Sequence, residues 1–236
     1  MGYLQKICDY AVKGIEGENE IYTSKKLIES CVNIIRPSMS NDEIRNSVIQ
    51  VSLELTTDSE PKWQYVASKL YIDKLYDDIR KNRGLEENSN VYGDFYNFIS
   101  DMTERKLYGE YILSNYSKDD IDELERKIKP ERDFIFTYSG IDLLAKRYLI
   151  QDFNRAVLEL PQQMFMGIAM HLAIPEKKEN RLYWAKRFYE VLSSLKATMA
   201  TPTMSNARKP FYQLSSCFID TVDDSLKGIY KSLDNF

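Results

Sequence analysis

The feature that most constrains this chain is a helical period that keeps returning: apolar residues recur three and four apart in stretch after stretch. Such spacing places side chains on one stripe of a helix, and a stripe of that kind is stable only when another helix covers it. Leu4, Ile7, Cys8, Ala11, Val12 and Ile15 make the first stripe, which weakens at Gly14 and Gly17. A second follows Thr23 and Ser24, with Leu27, Ile28, Cys31, Val32 and Ile35, and Pro37 stops it because proline cannot continue a helix. Ser40-Asn-Asp-Glu43 reads as a capping box ahead of a third helix running toward Leu55. Pro61 suits a first helical position, and Trp63, Val66, Ala67, Leu70 and Ile79 form a fourth stripe that ends at Arg83-Gly84.

From Gly84 to Ser89 the composition turns polar, so Leu85 to Asn90 is the expected linker and a domain boundary is expected near residue 84. Further helices are predicted around Val91 to Met102, Ser117 to Lys127, Ser139 to Tyr148, Pro161 to Leu172 and Lys177 to Leu195. Only near the end does the period change. Leu214, Ser216 and Phe218 alternate with Ser215, Cys217 and Ile219 as in a buried strand, and Asp223 or Asp224 is placed to cap a last helix carrying Leu226, Ile229, Tyr230 and Leu233. The expected fold is therefore mainly α, in helical units 1–84 and 85–200 followed by a strand and a helix in 201–236.

Composition removes several classes of function. With 236 residues, 43% of them hydrophobic, the chain can build a sizeable core. A net charge of -4 and a pI near 5.3 argue against a basic face that neutralises phosphates, so no nucleic-acid partner is expected. The longest apolar stretches fall well short of the roughly 20 residues a membrane span needs, and Met1 to Ile15 lacks the pattern of a signal peptide. A cytoplasmic protein without a membrane partner is expected. Cys8, Cys31 and Cys217 are too scattered for a disulfide framework, and one histidine argues against a zinc site or a histidine-based triad, so no metal ligand is assigned.

Residues 201 to 230, TPTMSNARKPFYQLSSCFIDTVDDSLKGIY, resemble the opening of the catalytic barrel of class I ribonucleotide reductase large subunits. The resemblance continues upstream through Lys129-Pro-Glu-Arg-Asp-Phe-Ile-Phe-Thr-Tyr-Ser-Gly140, Leu160-Pro-Gln-Gln-Met164 and Arg187-Phe-Tyr189. It implies that 201–236 supplies the first strand and helix of a ten-stranded α/β barrel, and that the chain is the N-terminal piece of the large subunit, ending at Phe236 before the radical cysteine and its partners.

Judged from its surroundings alone, Cys217 is a small buried hydrophobe in an apolar strand. The resemblance makes it one half of the thiol pair that reduces the substrate, since a dithiol delivers two electrons and closes to a disulfide. Thr201 and Ser216 resemble substrate contacts, as Thr203 does more weakly, although Thr-Pro by itself is only a turn signal. Asp224, Ser225 and Leu226 are an ordinary helix start that, by resemblance, belongs to the specificity site read by a deoxynucleotide. Asp133 beside Arg132 reads as a solvated or structural ion pair, His171 as a surface or satisfied histidine, and Phe134, Phe136 and Tyr138 as core.

The first 84 residues resemble the helical part of the ATP cone, with Lys6 in the place of a nucleotide-contacting lysine and Ser40 where many members carry threonine. The strand pair that usually opens this domain is absent from the sequence, so a degenerate or truncated cone is expected. The resemblance further implies no cofactor in the chain itself, ATP or deoxynucleotide effectors, a dithiol reductant, a chain carrying the rest of the barrel, a radical-bearing metal-containing small subunit, and dimerisation of the complete large subunit. The rival reading is a non-catalytic helical protein that keeps the domain for binding or regulation.

Overall fold

A computed structural model describes residues 2–15 and 21–235, so the expected weakening at Gly17 and the chain end at Phe236 lie outside the described residues. The first four helices are α1 (Gly2–Val12), α2 (Ser24–Cys31), α3 (Asn41–Glu54) and α4 (Trp63–Asn82). Apart from Ile79 and the exposed Val32, their predicted stripes meet in one cluster that buries Leu4, Cys8, Leu27, Cys31, Val48 and Trp63. The expected capping box forms: Ser40 Oγ accepts from the Glu43 N–H at 3.3 Å, and the Glu43 carboxylate accepts from the Ser40 N–H at 2.7 Å. Cys8 and Cys31 are core, both fully buried. Their thiol contact and burial push the Cys8 thiol up, so it stays protonated.

α4 serves two cores. Trp63, Val66, Ala67 and Leu70 belong to the first cluster, while Ile72, Leu75 and Ile79 belong to a second and larger one, and Tyr71 touches both. The helix ends in a Schellman motif: Gly84 has φ +65, its N–H donates to Lys81 O at 3.1 Å, and the Leu85 N–H donates to Arg80 O at 2.9 Å. The polar stretch from residue 84 thus begins as a helix cap, while the change from one cluster to the other falls thirteen residues earlier, at Tyr71.

The second cluster gathers α5 (Phe95–Glu104), α6 (Glu110–Asn115), α7 (Lys118–Glu125), a 3₁₀ turn (Pro130–Ile135), α8 (Tyr138–Leu143) with a π turn directly after it (Leu144–Tyr148), α9 (Pro161–Ala173), α10 (Lys178–Ser193) and α11 (Thr201–Asn206). α9 is buried at every position from Pro161 to Met170, which makes it the central helix of the bundle. α6, the 3₁₀ turn and α11 are too short to show a period, and Thr201-Pro202, read as a turn, instead opens α11.

Three expectations are corrected. Leu214 to Ile219 is not a strand: the segment is irregular, Cys217 and Ile219 are exposed, and no described residue offers the backbone edge that a strand there requires. Among the described residues the one β pairing is an isolated antiparallel bridge between Gln151 and Val157. The last helix, α12 (Leu226–Asp234), is capped by Ser225, whose Oγ accepts from the Gly228 N–H at 3.0 Å, and not by Asp223 or Asp224. Phe134 is partly exposed, at 40%, whereas Phe136 is buried, because the 3₁₀ turn breaks the alternation that would have put them on one face.

Candidate functional site

The residues singled out near the C-terminal end are carried on a short helix and the irregular segment after it. Thr201 opens α11 and is exposed, with its hydroxyl 3.4 Å from the Tyr148 hydroxyl. Thr203 points inward, and its hydroxyl donates weakly to Leu214 O at 3.5 Å. One turn on, Asn206 Nδ2 donates to Gln213 O at 2.9 Å. These two bonds lay Gln213 and Leu214 against α11. From there Ser215, Ser216 and Cys217 run out into solvent. The Ser216 hydroxyl lies 3.9 Å from Cys217 Sγ, and both residues are exposed. Sequence reasoning, which buried this cysteine in a strand, is overturned on its surroundings: it is an accessible thiol.

What fixes the base of this segment is Arg208, a residue to which the sequence reading gave no role. Its side chain is fully buried. Nε donates to Glu159 Oε1 at 2.7 Å and Nη2 to Glu159 Oε2 at 2.6 Å, a bidentate fork, while Nη1 donates to Met204 O at 2.9 Å and Nη2 also to Tyr148 O at 2.7 Å. Glu159 is equally buried and also accepts from the Tyr108 hydroxyl at 2.5 Å and the Ile150 N–H at 2.9 Å. Burial opposes the charge of Arg208, but the facing Glu159 outweighs it and holds the guanidinium ionised. Burial and then the Glu159 charge drive Tyr108 well above the usual phenol range, so it remains a donor. Gly167 of α9 makes room for this group, since a Cβ there would come within 2.8 Å of Tyr108 Oη and 2.9 Å of Arg208 Cδ. The sequence carried a trace of the pair: a glutamate between Leu158 and Leu160 in an apolar run needs a buried cation.

Just beyond, Tyr111, His171 and Tyr212 pack edge to face with centroids 4.8 to 5.4 Å apart. The Tyr111 hydroxyl shares a 2.7 Å hydrogen bond with His171 Nδ1, so His171 is a satisfied histidine, and burial lowers its pKa. The chain leaving Arg208 is therefore clamped on its far side as well.

Asp224 and Leu226 are exposed, and Ser225 is occupied as the α12 cap. α12 shows a reversed amphipathicity. Its Ser232 hydroxyl turns inward to Asp220 at 2.6 Å, while Leu226 (75% exposed), Tyr230 and Leu233 face outward with nothing among the described residues covering them.

Lys6 is exposed on α1 and has no ionic or hydrogen-bonding partner among the described residues, whereas the Ser40 hydroxyl is already used by the capping box. A cavity of about 240 Å³ beside α1, between Tyr3, Leu4, Val32, Ile35, Pro37 and Ile44 with Arg36 beside them, is lined by neither. Its walls are mainly apolar.

Asp133 contradicts its expected role. It is fully buried and makes no ion pair among the described residues; Arg132 pairs with Glu190 at 2.5 Å instead. Asp133 Oδ2 accepts the hydroxyls of Tyr76, at 2.5 Å, and Tyr92, and Oδ1 accepts from Gln162 Nε2 at 2.9 Å. Gln162 Oε1 in turn accepts from the Tyr189 hydroxyl at 2.9 Å. Burial raises the Asp133 pKa to about 6, with the three hydrogen bonds pulling against it and Glu131 adding slightly to the rise. This network ties α4, the 3₁₀ turn, α9 and α10 together. It is structural in position, being closed off from any cavity described above.

Among the described residues no cluster of histidine, cysteine and carboxylate side chains is disposed to hold a metal, and no helix is long and apolar enough to cross a membrane.

Comparison with known proteins matches residues 134–212 to the ribonucleotide reductase all-alpha domain. The chain is 47% identical over 189 residues to the ribonucleoside-diphosphate reductase subunit alpha of Treponema pallidum, covering 80% of this chain and 22% of that one. It is 36% identical over 231 residues to the subunit alpha of Helicobacter pylori strain 26695, covering 97% and 27%. It is also 36% identical over 213 residues to that of Enterobacteria phage T4, covering 88% and 26%. The chain thus spans about a quarter of the length of the curated relatives it matches.

Proposed function

Because the chain belongs to the ribonucleoside-diphosphate reductase large-subunit family and corresponds to its N-terminal region, we propose that it contributes part of a class I active site reducing ribonucleoside diphosphates to deoxyribonucleoside diphosphates in the cytoplasm. In this reading Cys217 is one of two redox thiols, Thr201 and Ser216 contact the substrate, and Asp224, Ser225 and Leu226 help to read a deoxynucleotide effector. One thiol is not enough. Reduction of a ribose hydroxyl takes two electrons, so a second cysteine must come from the rest of a barrel, a dithiol reductant must reopen the resulting disulfide, and a small subunit must supply the radical.

The observation that carries the reading is an accessible Cys217 on a segment whose start is held by a fully buried ion pair, Arg208 with Glu159. A redox thiol needs both properties: access for its partner and a fixed approach. The outward apolar face of α12 and the exposed Phe218 and Ile219 supply the surface on which the remaining barrel would close and the complete subunit would dimerise. That same surface favours the rival reading, a non-catalytic interaction protein, and the cysteine separates the two. Combined with the remaining barrel and the small subunit, the chain is expected to support turnover of nucleoside diphosphates. Cys217→Ser is expected to assemble normally and to lose multiple turnover. Normal turnover by the assembled Cys217→Ser enzyme refutes the role; assembly without turnover by the unaltered chain supports the rival.

A further inference from the structure

Beyond the end of α5, around the π turn and next to Arg208, lies a half-open cavity of about 340 Å³ whose charged walls are Lys106, Lys146, Arg147, Lys209 and Asp152. Four cations against one carboxylate give a local charge of +3 in a chain whose net charge is -4. The local excess is greater than the sum implies. Asp152 Oδ1 is turned to its own loop, where it accepts the N–H groups of Asn154 and Ala156 at 2.8 Å each. Lys146 is satisfied by Asp142 at 2.7 Å. Lys106, Arg147 and Lys209 have no carboxylate within ion-pair distance and no side-chain hydrogen bond among the described residues.

All three sit on backbone that the fold holds in place. Lys106 adopts φ +59 at the end of α5, where the next two N–H groups both return to Met102 O, at 2.8 and 3.0 Å. Arg147 rides the π turn, closed by the Leu149 N–H on Leu144 O at 2.9 Å. Lys209 follows the buried Arg208, and the Gly109 N–H donates to Arg208 O at 2.9 Å. Lys209 is half-buried, and burial, then the neighbouring Arg208, push its pKa down. Its ammonium is thus partly stripped of water with no protein acceptor in return, a cost that a bound anion removes.

We propose that this cavity binds a phosphate-bearing small molecule. A guanidinium offers a planar fork that matches two phosphate oxygens, and two ammonium groups add point charges around it. The aliphatic side chains of Leu107, Leu149 and Ile150 lower the local dielectric and strengthen the interaction. The proposal rests on this cavity alone and stands apart from the role given to Cys217.

The test uses the full chain and pyrophosphate. Calorimetric titration at constant ionic strength is paired with acylation of lysines read by mass spectrometry, with and without the anion. Saturable binding is expected with a dissociation constant below about 1 mM, weakened about tenfold or more by Arg147→Gln or Lys209→Gln and unchanged by Lys178→Gln, on the exposed side of α10. Pyrophosphate is expected to protect Lys106 and Lys209 from acylation and to leave Lys178 reactive, a readout on the unaltered chain that does not depend on any variant folding. Absence of saturable binding, equal binding by the variants, equal protection of Lys178, or equally tight binding of a glutamate peptide of the same charge each overturn the proposal.

Discussion

Asp133→Asn isolates the cost of a buried carboxyl in this fold. The side chain is fully buried and takes three hydrogen bonds, and its pKa is raised from 3.8 to about 6. Between those values the folded chain holds a proton that the unfolded chain has released. Stability contributed by this group therefore falls as pH rises through the window from about 4 to 6, and is flat above it. Each pH unit of that window is worth about 1.4 kcal/mol, so the total is about 3 kcal/mol. Asp73 and Asp78 are raised by burial and act in the same direction, while the lowered Glu43, Glu60, Glu123 and Glu190 act oppositely at more acid pH, and His171, lowered by burial, acts oppositely near neutrality. The difference between the two proteins removes those contributions. Asparagine loses the fit of Oδ2 to two tyrosine hydroxyls, a penalty of about 1 to 3 kcal/mol that does not vary with pH. Urea unfolding followed by tryptophan fluorescence should thus show the variant at a greater disadvantage at pH 4 than at neutrality, with the gap narrowing by about 2 kcal/mol between pH 4 and pH 6.5. A gap constant over that range would mean that Asp133 is ionised throughout, and the reasoning would fail.

Gly167→Ala should destabilise the chain by about 1 to 3 kcal/mol in urea unfolding, because the new methyl meets two atoms locked in the Arg208 group. Arg208→Met strands a buried carboxylate and should cost about 3 to 5 kcal/mol, whereas Arg208→Met combined with Glu159→Leu should recover much of it, which a double-mutant cycle measures. Cys8→Ser should cost about 1 to 3 kcal/mol for a buried hydroxyl, while Cys217→Ser, at an exposed position, should stay within about 0.5 kcal/mol of the parent. Titration of the full chain with ATP and dATP should show no micromolar binding at the cavity beside α1, whose walls are mostly apolar and include neither Lys6 nor Ser40; micromolar binding abolished by Lys6→Ala would overturn that expectation.

The helices were legible because their stripes are buried where the period places them: Leu4, Ile7, Cys8 and Ala11 on α1, and Ile121 and Leu124 on α7. The Ser40 box was legible because its two bonds are local. What escaped was long-range. Asp133 shares no sequence neighbourhood with Tyr76, Tyr92 or Gln162, and the adjacent Arg132 suggested an ion pair that in fact reaches Glu190 on α10. Arg208 and Glu159 lie 49 positions apart, and only the oddity of a glutamate amid leucines pointed to them. The alternation around Cys217 misled for a different reason: a strand is made by its neighbours, and the described residues supply none.

α4 has a consequence for anyone who would take this chain apart. At 20 residues it spans about 30 Å, and its first half is plugged into one core and its second half into the other. A cut after residue 84 would release a piece with Ile72, Leu75 and Ile79 bare to water, while a cut at Tyr71 would leave the second core without one of its walls. The helix works as a tie beam. Load placed on the N-terminal helices is carried along it to the hydroxyls of Tyr76, Ser68 and, through Phe136, the turn that holds Asp133. α4 crosses that junction without a break, so the two cores share one continuous helix.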